Sequence, residues 1–128
     1  GTVSTFFDTD LEGPTDLVFG SNGKLYVADG TRILEIDDGT SRSYGNNPEF
    51  SEPMGLAIDR LGNLYVSDIG TDKIYRIGTD ETVIVLAGST NGFRNGLGLE
   101  AKFDMPHDLF VDEDFNVYVS DSGIYHIR

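Results

Sequence analysis

The chain has 128 residues, 38% hydrophobic and 24% charged, enough for one packed domain and too apolar for a disordered tail. Its 22 Asp and Glu against 9 Lys and Arg give a formal net charge of −13, which argues against non-specific binding to nucleic acid or to anionic lipid. There is no cysteine, so disulfides, thiolate catalysis and cysteine-type zinc sites are excluded and the compartment is unreadable.

Residues 2–7 read as a fourth strand with no first three before it. No basic stretch leads into an apolar run there, so no signal peptide is expected. The longest apolar run, 83–87, is too short to span a bilayer, and a soluble chain is expected. After residue 13 the chain repeats. Pro14, Pro53 and Pro106 each precede a tyrosine by twelve positions (Tyr26, Tyr65, Tyr118) and an aspartate by fifteen (Asp29, Asp68, Asp121). The steps of 39 and 53 residues suit a four-stranded unit and exceed a short solenoid coil.

Each unit reads as strands. Short apolar runs at 17–19, 56–58 and 109–111 fit strands buried on both faces. Turn residues follow at 21–23, 61–63 and 114–116, where Asn and Gly tolerate positive φ. Second strands follow at 25–29, 64–68 and 117–121. Third strands are predicted at 33–36, 73–77 and 124–127 on an I-x-x-I pattern, and fourth strands at 41–44 and 82–87. The only helical foothold is a turn near 99–102, too short to stand alone.

The proline, the apolar triplet, the D-x-x-G-N-like turn, the YV-[AS]-D run and the I-x-x-I strand resemble the NHL-repeat β-propellers; residues 53–77 match best. The long 88–105 connection is similar to that family's inter-blade loops. The resemblance implies an all-β propeller of four-stranded antiparallel blades. Blades are expected at 14–44 and 53–87, with the inner three strands of a third at 106–128. Residues 1–7 then supply the missing outer strand of a third blade. Three blades leave two open faces, so the expected architecture is a six-bladed ring made by two copies head to tail, with Val3, Thr5, Phe6 and Phe7 of one copy pairing beside Ile124 and Ile127 of the other. A piece of a longer propeller is the competing expectation.

Candidate site residues follow from that placement. NHL repeats commonly carry glycine two positions after the proline; Gly55 keeps it, whereas Asp16 and Asp108 put carboxylates near the mouth of the channel. They serve either a ligand or the backbone N–H groups of strand starts. The stretch 103–109 resembles the peptide α-amidating lyases, where a histidine after such a proline ligates zinc. That resemblance makes His107 a candidate ligand, but Thr15 and Met54 fill the matching slots and catalytic zinc wants three protein ligands. Phe93 and Arg94 mark the long rim loop as a candidate surface for a protein or small-molecule ligand. His126 reads as a surface residue. A calcium loop at 8–19 fails because Phe19 holds the twelfth position. No nucleophile elbow or Walker loop occurs.

The expected function is therefore a non-catalytic propeller scaffold or interaction module that assembles by completing a ring. The alternative is a metal-dependent lyase or hydrolase with its site in the channel. No cofactor is expected, a divalent cation in the channel being the one variant. The expected partner is a second copy, with neither nucleic acid nor membrane.

Overall fold

Eleven strands form in the computed structural model, which describes all residues from Gly1 to Arg128. The first sheet holds β1 (Pro14–Phe19), β2 (Leu25–Asp29), β3 (Arg32–Asp37) and β4 (Thr40–Ser43). The second holds β5 (Pro53–Ile58), β6 (Leu64–Asp68), β7 (Lys73–Ile77) and β8 (Val83–Ala87). The third holds β9 (Pro106–Val111), β10 (Val117–Asp121) and β11 (His126–Ile127). Each is an antiparallel meander in chain order, as short strands joined by tight turns require. The first strands of the blades lie side by side, and the sheets stack face to face. A single 3-10 turn, Gly98–Glu100, interrupts the long connection.

The turns that close the first hairpins need a left-handed residue at one slot. Gly23 (φ 79) and Gly62 (φ 90) provide it, and Phe115 (φ 65) takes the same slot in blade 3. Two apolar seams hold the blades together. Tyr26, Ala28, Ile33 and Tyr44 of blade 1 meet Leu56, Leu64, Val66, Tyr75 and Ile77 of blade 2, with Phe50 edge-on to Tyr75 at 5.1 Å. Ala57, Tyr65 and Ile74 of blade 2 meet Leu109 and Val119 of blade 3, with Ala101 and Phe103 of the connection. Apolar burial on both sides of blade 2 explains the unbroken apolar runs of its inner strands.

The two outer faces differ. On blade 1, Leu25, Val27, Leu34 and Ile36 form a third cluster, and Phe7 and Leu11 pack on it. Leu17 and Phe19 on that face stay exposed. On blade 3, Phe110, Tyr118 and Ile127 are exposed where their counterparts in blades 1 and 2 are covered.

The strand expected at residues 1–7 is one that pairs with a second copy, and one sequence expectation changes within the chain. Residues 1–13 form no strand within the chain: Val3 and Phe6 lie in solvent while Phe7 is half-buried on blade 1 of the same chain. An outer strand needs a neighbouring edge, and the chain's own β11 edge stands on the far blade. Ile124 leaves the assembly strand. It lies in the turn before β11, because Asp121 pairs with His126 and Tyr125 (φ 58) closes the turn; only Ile127 of the predicted pair is in the strand.

Candidate functional site

Every first strand carries an irregularity just after its proline. Pro14 pairs with Asp29 but Asp16 with Ala28; Pro53 pairs with Asp68 but Gly55 with Ser67; Pro106 pairs with Asp121 and Leu109 with Val119. A bulge re-aims the side chains beside it. Thr15, Asp16, Met54, Gly55, His107 and Asp108 accordingly line one shallow cleft of about 190 Å³ at the inner ends of the three blades. The predicted trio Asp16, His107 and Asp108 is thus brought together by the fold.

Their hydrogen bonds say what each carboxylate does inside the chain. Asp16 accepts the N–H of Leu17 at 2.8 Å on one oxygen and that of Leu56, on the next blade, at 2.7 Å on the other. Asp108 accepts the Leu109 N–H at 2.8 Å and has no partner from a further blade. The Thr15 hydroxyl donates to the Pro53 carbonyl at 3.2 Å, and the Ser67 hydroxyl donates to the His107 carbonyl. The cleft is therefore lined by seam contacts between blades, and the reading of aspartates as acceptors at strand starts describes Asp16. No group of three His, Asp or Glu side chains is placed to hold a metal ion, so one chain does not assemble a zinc donor set.

The repeated aspartate of each second strand has a structural task that the sequence reading missed. Asp29 accepts the N–H groups of Glu12 and Gly13, Asp68 those of Ser51 and Glu52, and Asp121 that of Asp104. Each ties the incoming inter-blade segment to the end of a buried strand. Burial opposes the charge on Asp29, but the Gly13 N–H and the Arg32 guanidinium outweigh it and hold the carboxyl below its ordinary range.

On the opposite rim, the Asp-Asn-Tyr clamp of the turn appears twice. Asp59 accepts Leu61 N–H, Asn63 N–H, the Asn63 amide and the Tyr65 hydroxyl; Asp112 binds Asp114, Asn116 and Tyr118 in the same way. Blade 1 departs from this, with Gly20 and Lys24 in the Asp and Asn slots. There Asn22 accepts the Lys24 N–H and donates to the Tyr26 hydroxyl, and the buried Glu35 gathers the cations. It receives Lys24 and Arg42 at 3.0 Å each, and Arg42 reaches Glu81 of blade 2 at 2.5 Å. Burial works against the Glu35 charge, and its two cations outweigh it, so its carboxyl is held low. Tyr44, under Arg42, is pushed up to about 12, first by burial and then by nearby negative charge. A cleft of about 300 Å³ lies over this chain of ions. The broken Asp-Asn pattern at Gly20 and Lys24 was the available sequence signal.

The backbone of the rim loop is held, while the candidate side chains Phe93 and Arg94 stay exposed. Arg94 and Lys102 bridge across the loop, and the Arg128 guanidinium lies between the rings of Phe93 (5.1 Å) and Phe103 (5.0 Å). Arg128 donates to the carbonyls of Lys102 and Arg94, to Asn95 and to Asp121. His126 is exposed and stacks on Phe93 at 5.1 Å.

Three staggered antiparallel blades with these repeated clamps define a β-propeller module. No protein-family model matches the chain. It is similar to mouse NHL repeat-containing protein 3, at 28% identity over 109 residues, 82% of this chain and 30% of that protein. It is 35% identical over 94 residues to peptidyl-glycine alpha-amidating monooxygenase B of Xenopus laevis, covering 70% of this chain and 10% of that one. In structure it is similar to a protein of unknown function from Bacteroides thetaiotaomicron, with a TM-score of 0.77 at 21% identity, over 98% of this chain and 36% of that one. These matches show the resemblance to NHL-repeat β-propellers that the repeats carry. The chain spans about a third of the length of NHL repeat-containing protein 3. No helix is long and apolar enough to cross a membrane.

Proposed function

We propose that the chain is a non-catalytic β-propeller scaffold that assembles by completing a ring, two copies together giving six blades. One observation carries this reading: the two outer faces are the two halves of a seam the chain already builds twice. Tyr118, Ser120 and Ile127 hold on blade 3 the slots that Tyr26, Ala28 and Ile33 hold on blade 1 and Tyr65, Ser67 and Ile74 on blade 2. Leu25, Val27, Leu17 and Phe19 hold on blade 1 the slots of Leu64, Val66, Leu56 and Ile58 on blade 2. Stacking blade 3 on blade 1 of a second copy continues the same packing and covers Phe110, Tyr118 and Ile127 on one side and Leu17 and Phe19 on the other. Residues 2–7, freed from their own blade 1, then reach the β11 edge of the other copy as its outer strand.

Light scattering tests this: the reading requires a mass of twice 14.0 kDa, and a stable monomer at high concentration overturns it. Deleting residues 1–7 should weaken the dimer, and an unchanged dimer would remove strand exchange from the proposal. The lyase or hydrolase alternative needs metal donors beyond those one chain brings together, because Asp16 already spends both oxygens on backbone N–H groups. Zinc or calcium that raises the melting temperature of the chain, and does not do so after His107→Ala, would revive it.

A further inference from the structure

We infer that Asp108 is the residue that limits how tightly two copies of this chain close on each other. The inference rests on the ring-closing reading above and names the contact that sets its strength. The slot two positions after each strand-opening proline holds Asp16, Gly55 and Asp108. Within the chain every seam pairs one aspartate with one glycine. At the first seam Asp16 reaches across and binds the Leu56 N–H at 2.7 Å, beside Gly55. At the second seam Gly55 faces Asp108. A Cβ added to Gly55 would stand 2.3 Å from the His107 carbonyl oxygen and 3.0 Å from the Asp108 Cα, so that side has no room for a side chain.

Continuing the stack from blade 3 onto blade 1 of a second copy sets Asp108 against Asp16. Neither internal seam contains that pairing. The Leu17 N–H, which would correspond to the Leu56 donor, is already bound to its own Asp16. The unpartnered oxygen of Asp108 therefore meets a carboxylate and an occupied donor, where Asp16 meets a free N–H. The rest of the face is attractive, since Phe110, Tyr118 and Ile127 are exposed and apolar. Like charges set opposite each other across an interface cost affinity and act against a wrong partner. Closure is driven by the apolar face and held back at this one slot.

The test is the dimer dissociation constant of the full chain by sedimentation equilibrium, for the native sequence, Asp108→Gly and Asp108→Asn. Asp108→Gly recreates the glycine–aspartate pairing of the second seam and should tighten the dimer about tenfold or more. Asp108→Asn keeps the bulk without the charge and should tighten it by less. The Asp108 side chain makes only a local bond to Leu109, its bonds to Ser120 run through the backbone, and Gly55 shows that glycine fits the slot, so both variants should fold; thermal melting checks this. A folded Asp108→Gly that dimerises no better than a dimeric native chain overturns this inference and leaves ring closure standing. If neither self-associates at millimolar concentration, closure by copies fails, and this inference with it.

Discussion

Asp16 and Leu56 join the first two blades: the carboxylate of one accepts the backbone N–H of the other at 2.7 Å, 40 positions along the chain. The other Asp16 oxygen holds its own strand start at Leu17. A charged acceptor to an N–H in a half-buried seam contributes about 1–2 kcal/mol net. Asp16→Ala should lower unfolding stability by about that amount. Asp16→Asn keeps a single acceptor oxygen and should lose roughly half as much. Urea titration checks both, and equal stability of the three proteins would contradict the seam role.

Gly55 is the opposite solution to the same contact. An added methyl would meet a backbone carbonyl, and backbone cannot swing aside as a long side chain can. Gly55→Ala should therefore cost about 1–3 kcal/mol by forcing blades 2 and 3 apart. Gly13→Ala is the control, since nothing lies within 4 Å of its added Cβ. It should change stability by no more than about 0.5 kcal/mol. Comparable melting temperatures for the two variants would refute the close approach at Gly55.

Acid should unfold the chain through its buried carboxylates. Asp29 and Asp59 are held below 3.8, and Glu35 below 4.5, because donors outweigh the burial that opposes their charge. Protons bind these groups more weakly in the folded chain than in the unfolded one. The unfolded chain therefore takes up more protons as pH falls, and stability drops with it. The stabilisation is complete above the ordinary values and is lost as pH falls below them. Melting temperature should thus be level near neutrality and decline steeply below about pH 4.5. Glu35→Gln should melt lower at neutral pH and show a shallower acid decline. A native chain whose melting temperature is the same at pH 7 and pH 3 would contradict this.

What the sequence displays and what it hides divide along sequence distance. The blades are legible because Pro14, Tyr26 and Asp29 recur at fixed offsets, and each set is local to one hairpin. The cleft is legible for the same reason: Asp16 and Asp108 sit two positions after their prolines and His107 one, so stacking the blades gathers them. The bonds of Asp16 to Leu56 and of Arg42 to Glu81 are not legible, because no local pattern marks a partner about 40 positions away. The apolar pair Ile124 and Ile127 points to a strand start two residues before the true one at His126. Asp68 pairs with Lys73 and Asp121 with His126, the same interval, so the turn length carried the correct register. The second-strand aspartates stand out in the sequence only as a repeat mark, and their work for segments such as Glu12 and Gly13 emerges only when the loops fold back.

Arg128 governs the long rim loop. Its flat guanidinium fits between Phe93 and Phe103 while its N–H groups reach Lys102, Arg94, Asn95 and Asp121. In blade 2 the matching slot is Tyr75, edge-on to Phe50, so the arginine keeps the aromatic packing and adds donors. Arg128→Ala should free residues 88–105, leave Asp121 with the Asp104 N–H alone, and raise amide exchange at Gly92 and Lys102, whose N–H groups bond to Phe103 and Arg94 carbonyls. Arg128→Lys restores the charge but neither the planar stacking nor the forked donation, so exchange should stay close to that of the alanine variant. Full protection in the lysine variant would show that charge alone holds the loop, and would remove the stacking from the explanation.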